Sequence, residues 1–309
     1  MYSVLIDFQG AIMLKIYPTF FPDFQCKADR CRHTCCQKWE IDINKDTEKK
    51  YRSTKGPLGK ELREWMKTGE EGLPCFRMNE KGYCHFLTEK GLCRLVLERG
   101  DDFLCQICRD HPRFYKFPYD ADRGEEVMLC GTGLACEKTV EQLLSEKGAL
   151  TFHSSESDRP FHFDRILALL HLDEEPGLSA PDLSLSAHFA KETISRLEET
   201  NPIDREWTDS LSFIKSHMDA LVLRARQLSE ETGLPCLTRL YQYIFYRQLD
   251  ECEAYNPLAM ARYAKEAVVF MLLEYARTGD LIRSVTRWSE QIEYDTENVY
   301  ILLDSMDGE

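Results

Sequence analysis

The chain of 309 residues contains no apolar run approaching the roughly 18 to 20 residues that a membrane helix requires. A helical membrane protein is therefore excluded. It also lacks a basic patch interleaved with aromatic residues. Acidic side chains outnumber basic ones by 53 to 39, a net charge of −14, so little on the surface can displace counterions from a phosphate backbone. Nucleic acid is not expected as a partner, and neither is a membrane. The first dozen residues carry no basic side chain and include Asp7. They have neither the charged n-region nor the small-residue cleavage site of a secretory leader, and Met13 offers a second start. The expected compartment is the cytosol. Low-complexity tracts and internal repeats are absent, and 43% hydrophobic with 30% charged residues excludes a disordered chain.

What the chain does have is sulfur, unevenly placed. Eleven of its 13 cysteines lie between Cys26 and Cys136, and only Cys236 and Cys252 lie beyond. In a reducing compartment a dense cysteine pattern points to metal rather than to disulfides. The odd count and the adjacent pair Cys35–Cys36 point the same way. Charge is uneven too. Residues 1–150 carry 24 basic and 24 acidic side chains, whereas residues 151–309 carry 15 and 29.

These asymmetries predict a mainly α protein: an irregular cysteine-rich, metal-bound domain over residues 13–148, then an acidic helical domain over 149–309. In the first part, Gly56-Pro57, Gly69, Gly72, Pro74, Gly82, Gly91, Gly100, Pro112 and Pro118 keep segments short. One helix is expected over Lys45–Met66, with short strands or turns near Tyr83–Leu87 and Val127–Cys130. So little regular structure cannot bury much apolar surface, which makes metal cross-links physically sensible. In the second part, Leu211, Ile214, Met218, Leu221, Ala225 and Leu228 fall on one helix face, with Thr208 and Asp209 as cap candidates. Leu237 to Leu249, Tyr263 to Tyr275 (stopping at Thr278-Gly279) and Leu281 to Ile292 repeat the spacing. Further helices are expected near 137–147, 162–172 and 184–200. The acidic charge suits a solvated surface, or one that steers a lysine-bearing partner.

The cysteines form four groups: Cys26, Cys31, Cys35 and Cys36; Cys84 and Cys93; Cys105 and Cys108; and Cys130 with Cys136. Thiolates suit soft or borderline metals. Paired C-x₂-C units at zinc-finger separation are missing, since only Cys105–Cys108 has that spacing. An iron–sulfur cluster needs four thiolates at flexible spacing, and the count is ample. The candidate metal ligands are Cys26, Cys31, Cys35, Cys36, Cys84, Cys93, Cys108 and Cys130. Cys105 and Cys136 stand open between ligand and small hydrophobe, and Cys75, Cys236 and Cys252 read as small hydrophobes. His33, His85 and His111 are expected to be hydrogen-bonding neighbours. Arg109 and Arg113 could offset an anionic cluster or hold a cofactor's carboxylate, with structural salt bridges as the plainer role. Two aromatic concentrations, Tyr241, Tyr243, Phe245 and Tyr246 and then Tyr115, Phe117 and Tyr119, read first as packing and second as walls for a lysine side chain.

The ordered series Phe24-x-Cys26-x₄-Cys31-x₃-Cys35-Cys36-x₂-Trp39-x-Ile41-x-Ile43, Cys84-x-Phe86-Leu87, Gly91-Leu92-Cys93, Cys108-Arg109-x₂-Pro112-Arg113 and Cys130 resembles the flagellin lysine N-methylase family. That family lies within a wider group of zinc- or iron-chelating cysteine-cluster proteins, and the likeness covers about residues 17–140. It implies S-adenosylmethionine-dependent methylation of lysine on flagellin, with a [4Fe–4S] cluster implicated. The chain departs from the family after Cys130, reading Gly131-Thr-Gly-Leu-Ala-Cys136. It lacks both the C-x₃-C-x₂-C spacing of radical enzymes and a glycine-rich methyltransferase loop ending in an acidic residue. No catalytic residue or donor site is assigned from the sequence. The alternative is a non-enzymatic, zinc-stabilised helical binding or adaptor protein.

Overall fold

The computed structural model describes residues 13–37, 41–69, 72–118 and 127–307. Trp39, Tyr119 and the segment Met1–Ile12 therefore lie outside the described residues. In chain order the elements are β1 (Leu14–Pro18), β2 (Ile41–Asp42), α1 (Lys45–Ser53), α2 (Gly56–Trp65), β3 (Met66–Thr68), β4 (Pro74–Phe76), α3 (Arg94–Arg99), α4 (Gln106–Asp110), β5 (Arg113–Lys116), β6 (Val127–Thr132), α5 (Glu137–Ser145), β7 (Thr151–Ser154), β8 (Ser157–His162), α6 (Phe163–Leu169), α7 (Ala187–Leu197), α8 (Arg205–Ser216), α9 (Met218–Thr232), α10 (Leu234–Tyr246), α11 (Pro257–Thr278), α12 (Leu281–Ile292) and α13 (Thr296–Met306). The chain is mainly helical, with a substantial sheet.

Two compact units emerge: Gln25–Arg113, and a larger one made of the chain before and after it. The divisions fall at Phe24/Gln25 and Arg113/Phe114 rather than at 148/149, because β1 and β6 belong with the helices. The small unit carries 19 basic and 15 acidic residues, the rest of the chain 20 and 38, so the charge contrast is sharper than a halving of the sequence suggests.

In the large unit a five-stranded sheet runs in the order β5-β6-β1-β7-β8. β1 pairs in parallel with β6, Leu14 opposite Val127, and antiparallel with β7, Ile16 opposite Ser154. All six residues of β6 are buried. The helical layer centres on α11, whose 22 residues are buried on nearly all sides from Ala259 to Glu274. Asn256 caps its start by accepting from Leu258 N at 2.8 Å, and Pro257 occupies the first turn, where its missing N–H costs nothing. Gly279 ends it at φ +73°, the left-handed conformation that favours glycine. Carboxylates buried in this layer are paired: Glu266 with Arg196 and Arg262, and Glu274 with Arg277 and the Ser210 hydroxyl. Without partners each would carry a heavy desolvation cost.

Local differences from the expected helices have local causes. The segment 45–66 is two helices, broken at Thr54-Lys55-Gly56, where Gly56 takes φ +79° ahead of Pro57. The face from Leu211 to Leu228 is shared by α8 and α9, which break at His217. The cap of α8 is Asp204, accepting from Trp207 N at 3.0 Å, not Thr208 or Asp209. Residues 83–87 form a turn flanked by isolated bridges (Gln37–Tyr83, Met78–Cys84, Leu87–Cys93), within the strands or turns expected there.

Candidate metal centre

The small unit has its own core of twelve buried residues, among them Ile41, Ile43, Tyr51, Leu62, Phe76 and Phe86. Tyr51 is its pivot. The ring packs on Phe76 and Phe103, with centroids 5.7 and 5.2 Å away, and its hydroxyl donates to Phe103 O at 3.0 Å. Cys84 and Cys105 are members of this core, and Cys36, Cys93 and Cys108 pack against it. Five thiols from four separate stretches of sequence thus lie in or against one apolar core.

Backbone geometry places each of them. Cys36 O accepts from Cys84 N at 2.9 Å, tying the first cysteine group to the second. The bridge between Leu87 and Cys93 brings the next thiol back, and Cys93 immediately precedes α3. Cys105 immediately precedes α4, so Cys108 follows one turn later. Gly91, at φ +74°, makes the turn between Cys84 and Cys93.

The thiols feel one another. A hydrogen bond from Cys35, supported by Thr34 and opposed by burial, lowers Cys36 to about 7. A hydrogen bond from Cys108 lowers Cys105, and the same contact with burial raises Cys108. Burial raises Cys84 to about 12, with Cys36, Cys93 and Cys105 adding repulsion, and burial raises Cys93. Tyr51 is pushed up by burial first and then by Cys105, Cys108 and Cys93. Among the described residues no three cysteine, histidine, aspartate or glutamate side chains converge to the spacing of a closed metal site. The donor chemistry suits a thiolate-bound metal, whereas the closed geometry is not present.

Of the eight candidate ligands, Cys36, Cys84, Cys93 and Cys108 gather here, and Cys35 touches Cys36. Cys105, left open by the sequence, joins them. Cys26 and Cys31 flank an exposed turn, where Cys26 Sγ accepts from Ala28 N at 3.4 Å. Cys130 lies in β6 of the other unit, against Phe21 and Met128, where burial raises its thiol to about 11. Cys75 is buried in β4, Cys136 is buried at the start of α5, and Cys236 and Cys252 are half-buried.

Histidine and arginine complete the surroundings. His85 stacks on Trp65 at 3.7 Å and meets Glu61 at 2.6 Å; Arg94 reaches the other Glu61 oxygen at 2.5 Å. These charges, the Arg94 hydrogen bond foremost, lower the Glu61 carboxyl. Burial lowers His111 to about 4, which keeps its imidazole neutral near pH 7. His33 is half-buried, Arg109 is exposed on α4, and Arg113 is half-buried at the start of β5. The sequence did not single out Glu61, Trp65 or Arg94; the helical offset from Glu61 to Trp65 is the one signal that could have linked two of them. Tyr241, Tyr243, Phe245 and Tyr246 are fully buried in the large unit, as the packing interpretation expects, whereas Tyr115 and Phe117 are exposed.

Two lysine-N-methylases, from Salmonella choleraesuis and Salmonella typhimurium, are each 28% identical to the chain over 145 residues. The chain resembles the lysine-N-methylases. Each match covers 43% of this chain and 33% of the relative, so the chain accounts for about a third of those proteins' length. The flagellar biosynthetic protein FliU of Salmonella muenchen is 27% identical over 152 residues, 45% of this chain and 82% of that protein. No family model and no solved structure matches.

Proposed function

We propose that the chain is an S-adenosylmethionine-dependent protein-lysine N-methyltransferase that acts on flagellin in the cytoplasm and holds a [4Fe–4S] cluster through thiolates of its small unit. The observation that carries this is the gathering of Cys36, Cys84, Cys93, Cys105 and Cys108 in or against one apolar core, in a chain that resembles lysine-N-methylases. Those five are the residues that would hold the metal. Up to four of them would bind a [4Fe–4S] cluster, which would supply iron chemistry or staple the small unit.

The remaining chemistry sets demands on the protein. A lysine ε-ammonium has no lone pair, and its reference pKa is about 10.4, so a methylase must desolvate it or accept its proton. The neutral amine then attacks the sulfonium methyl group: a C–N bond forms, the C–S bond breaks, and S-adenosylhomocysteine leaves. The net charge of −18 outside the small unit would favour approach of a lysine-bearing segment.

Incubation of the anaerobically purified chain with S-adenosylmethionine and flagellin, read by intact mass, tests this. Methyl-sized mass gains on flagellin are expected, and none with the cluster reconstituted would refute it. A second reading, a zinc-stapled binding module, is favoured by the small core that accompanies the thiols. A colourless, zinc-loaded, sulfide-free protein would select it.

A further inference from the structure

The large unit holds a second polar group that the thiols do not involve. Arg247 follows the last turn of α10, Glu293 follows the last turn of α12, and Tyr263 lies in the second turn of α11. Tyr263 is 1% exposed, and the Arg247 and Glu293 side chains are 10% and 5% exposed. Arg247 Nε donates to Glu293 Oε1 at 2.7 Å, and the Ser289 hydroxyl donates to the other carboxylate oxygen. The Phe114 ring covers the guanidinium at 4.7 Å, while the Trp288 ring packs edge-on against Tyr263 at 5.6 Å.

Within this group two buried donors, Arg247 Nη1 and the Tyr263 hydroxyl, have no acceptor among the described residues. Native interiors keep few such groups, and each calls for an explanation. Both feel Glu293, and burial keeps the Tyr263 phenol protonated and able to donate. The group also lies near the carboxyl end of β6. Phe114 and Tyr243 both crowd Gly131, where an added Cβ would come within 2.5 Å of the Phe114 ring, and Tyr243 bonds both Thr132 O and Thr132 N. β6 is parallel to β1.

The charges select the kind of ligand. A simple anion would meet the Glu293 carboxylate, and a simple cation would meet Arg247. Two free donors beside one carboxylate match a zwitterion. We propose that Arg247, Glu293 and Tyr263 bind the α-amino-acid head of the methyl donor, Arg247 Nη1 and Tyr263 Oη donating to its carboxylate and Glu293 accepting from its ammonium. This rests on the methylase reading.

Equilibrium dialysis of S-adenosylhomocysteine against the full chain, with adenosine as the headless control, tests the assignment. Tyr263→Phe removes a hydroxyl that bonds nothing among the described residues, so folding and metal content should be kept, whereas Arg247→Gln would strand Glu293 and is less informative. Tyr263→Phe is expected to weaken S-adenosylhomocysteine about tenfold and to leave adenosine unchanged. Equal S-adenosylhomocysteine affinity in wild type and variant, the outcome if the group holds only interior water, overturns this assignment alone. Wild-type protein that binds neither S-adenosylmethionine nor S-adenosylhomocysteine overturns the methylase reading with it.

Discussion

Cys75 and Cys105 are both fully buried in the small unit, yet only Cys105 lies in the thiol pocket. Serine at each position is therefore a matched pair. Structural metal bound by four ligands is worth about 10–16 kcal/mol, or about 3 kcal/mol per ligand, which is more than 100-fold in affinity. Cys105→Ser should lose metal on that scale. Cys75→Ser buries a hydroxyl at a cost of about 1–3 kcal/mol and should keep its metal while unfolding at lower denaturant. The assay is iron, zinc and sulfide per protein chain after anaerobic purification, paired with denaturant melts. Full metal in Cys105→Ser, or equal metal loss in both variants, would mean that the pocket is ordinary packing.

Three further outcomes follow from named contacts. In metal-free protein the Cys36 thiol, lowered to about 7 by Cys35, should be alkylated with a midpoint near pH 7, because the thiolate predominates above the pKa and is lost as pH falls through it. Cys35→Ala should move that midpoint up, and an unmoved midpoint would remove Cys35 as the cause. Tyr243→Phe strands the buried Thr132 N–H and C=O and should cost about 2–4 kcal/mol, seen as a lower midpoint with unchanged slope. Gly131→Ala, overlapping the Phe114 ring, should cost about 1–3 kcal/mol; a neutral melt would show that Phe114 moves freely.

Much of the helical layer was legible because its periodicity is local. α10, α11 and α12 fall where apolar residues recur at three and four, and Gly279 ends α11 where a helix stop was expected. The break at His217 was not legible, since apolar residues keep helical spacing across it, whereas Gly56-Pro57 marked the other break and the single helix expected over 45–66 ran through it. Of the sheet, β6 was legible as the short strand expected near Val127–Cys130, and the rest was not. β1 pairs with β6 across more than a hundred residues, and β7 and β8 are too short to signal alone. Four thiols of the pocket could be named from spacing and resemblance. Cys105 could not, because its membership depends on how α4 packs beside Tyr51 rather than on its neighbours in sequence.

The insertion of the small unit between β1 and β6 has a kinetic side. Leu14 can reach Val127 only by closing a loop that contains the entire thiol pocket. If metal orders Gln25–Arg113 first, the unstructured part of that loop shrinks by two doublings or so, easing closure by about 1 kcal/mol. Refolding of the sheet, followed through the burial of Tyr246, should then quicken several-fold when metal is present, although none of the candidate thiols in the pocket belongs to the sheet. The metal would serve as an assembly order, deciding when the two halves of the large unit can meet.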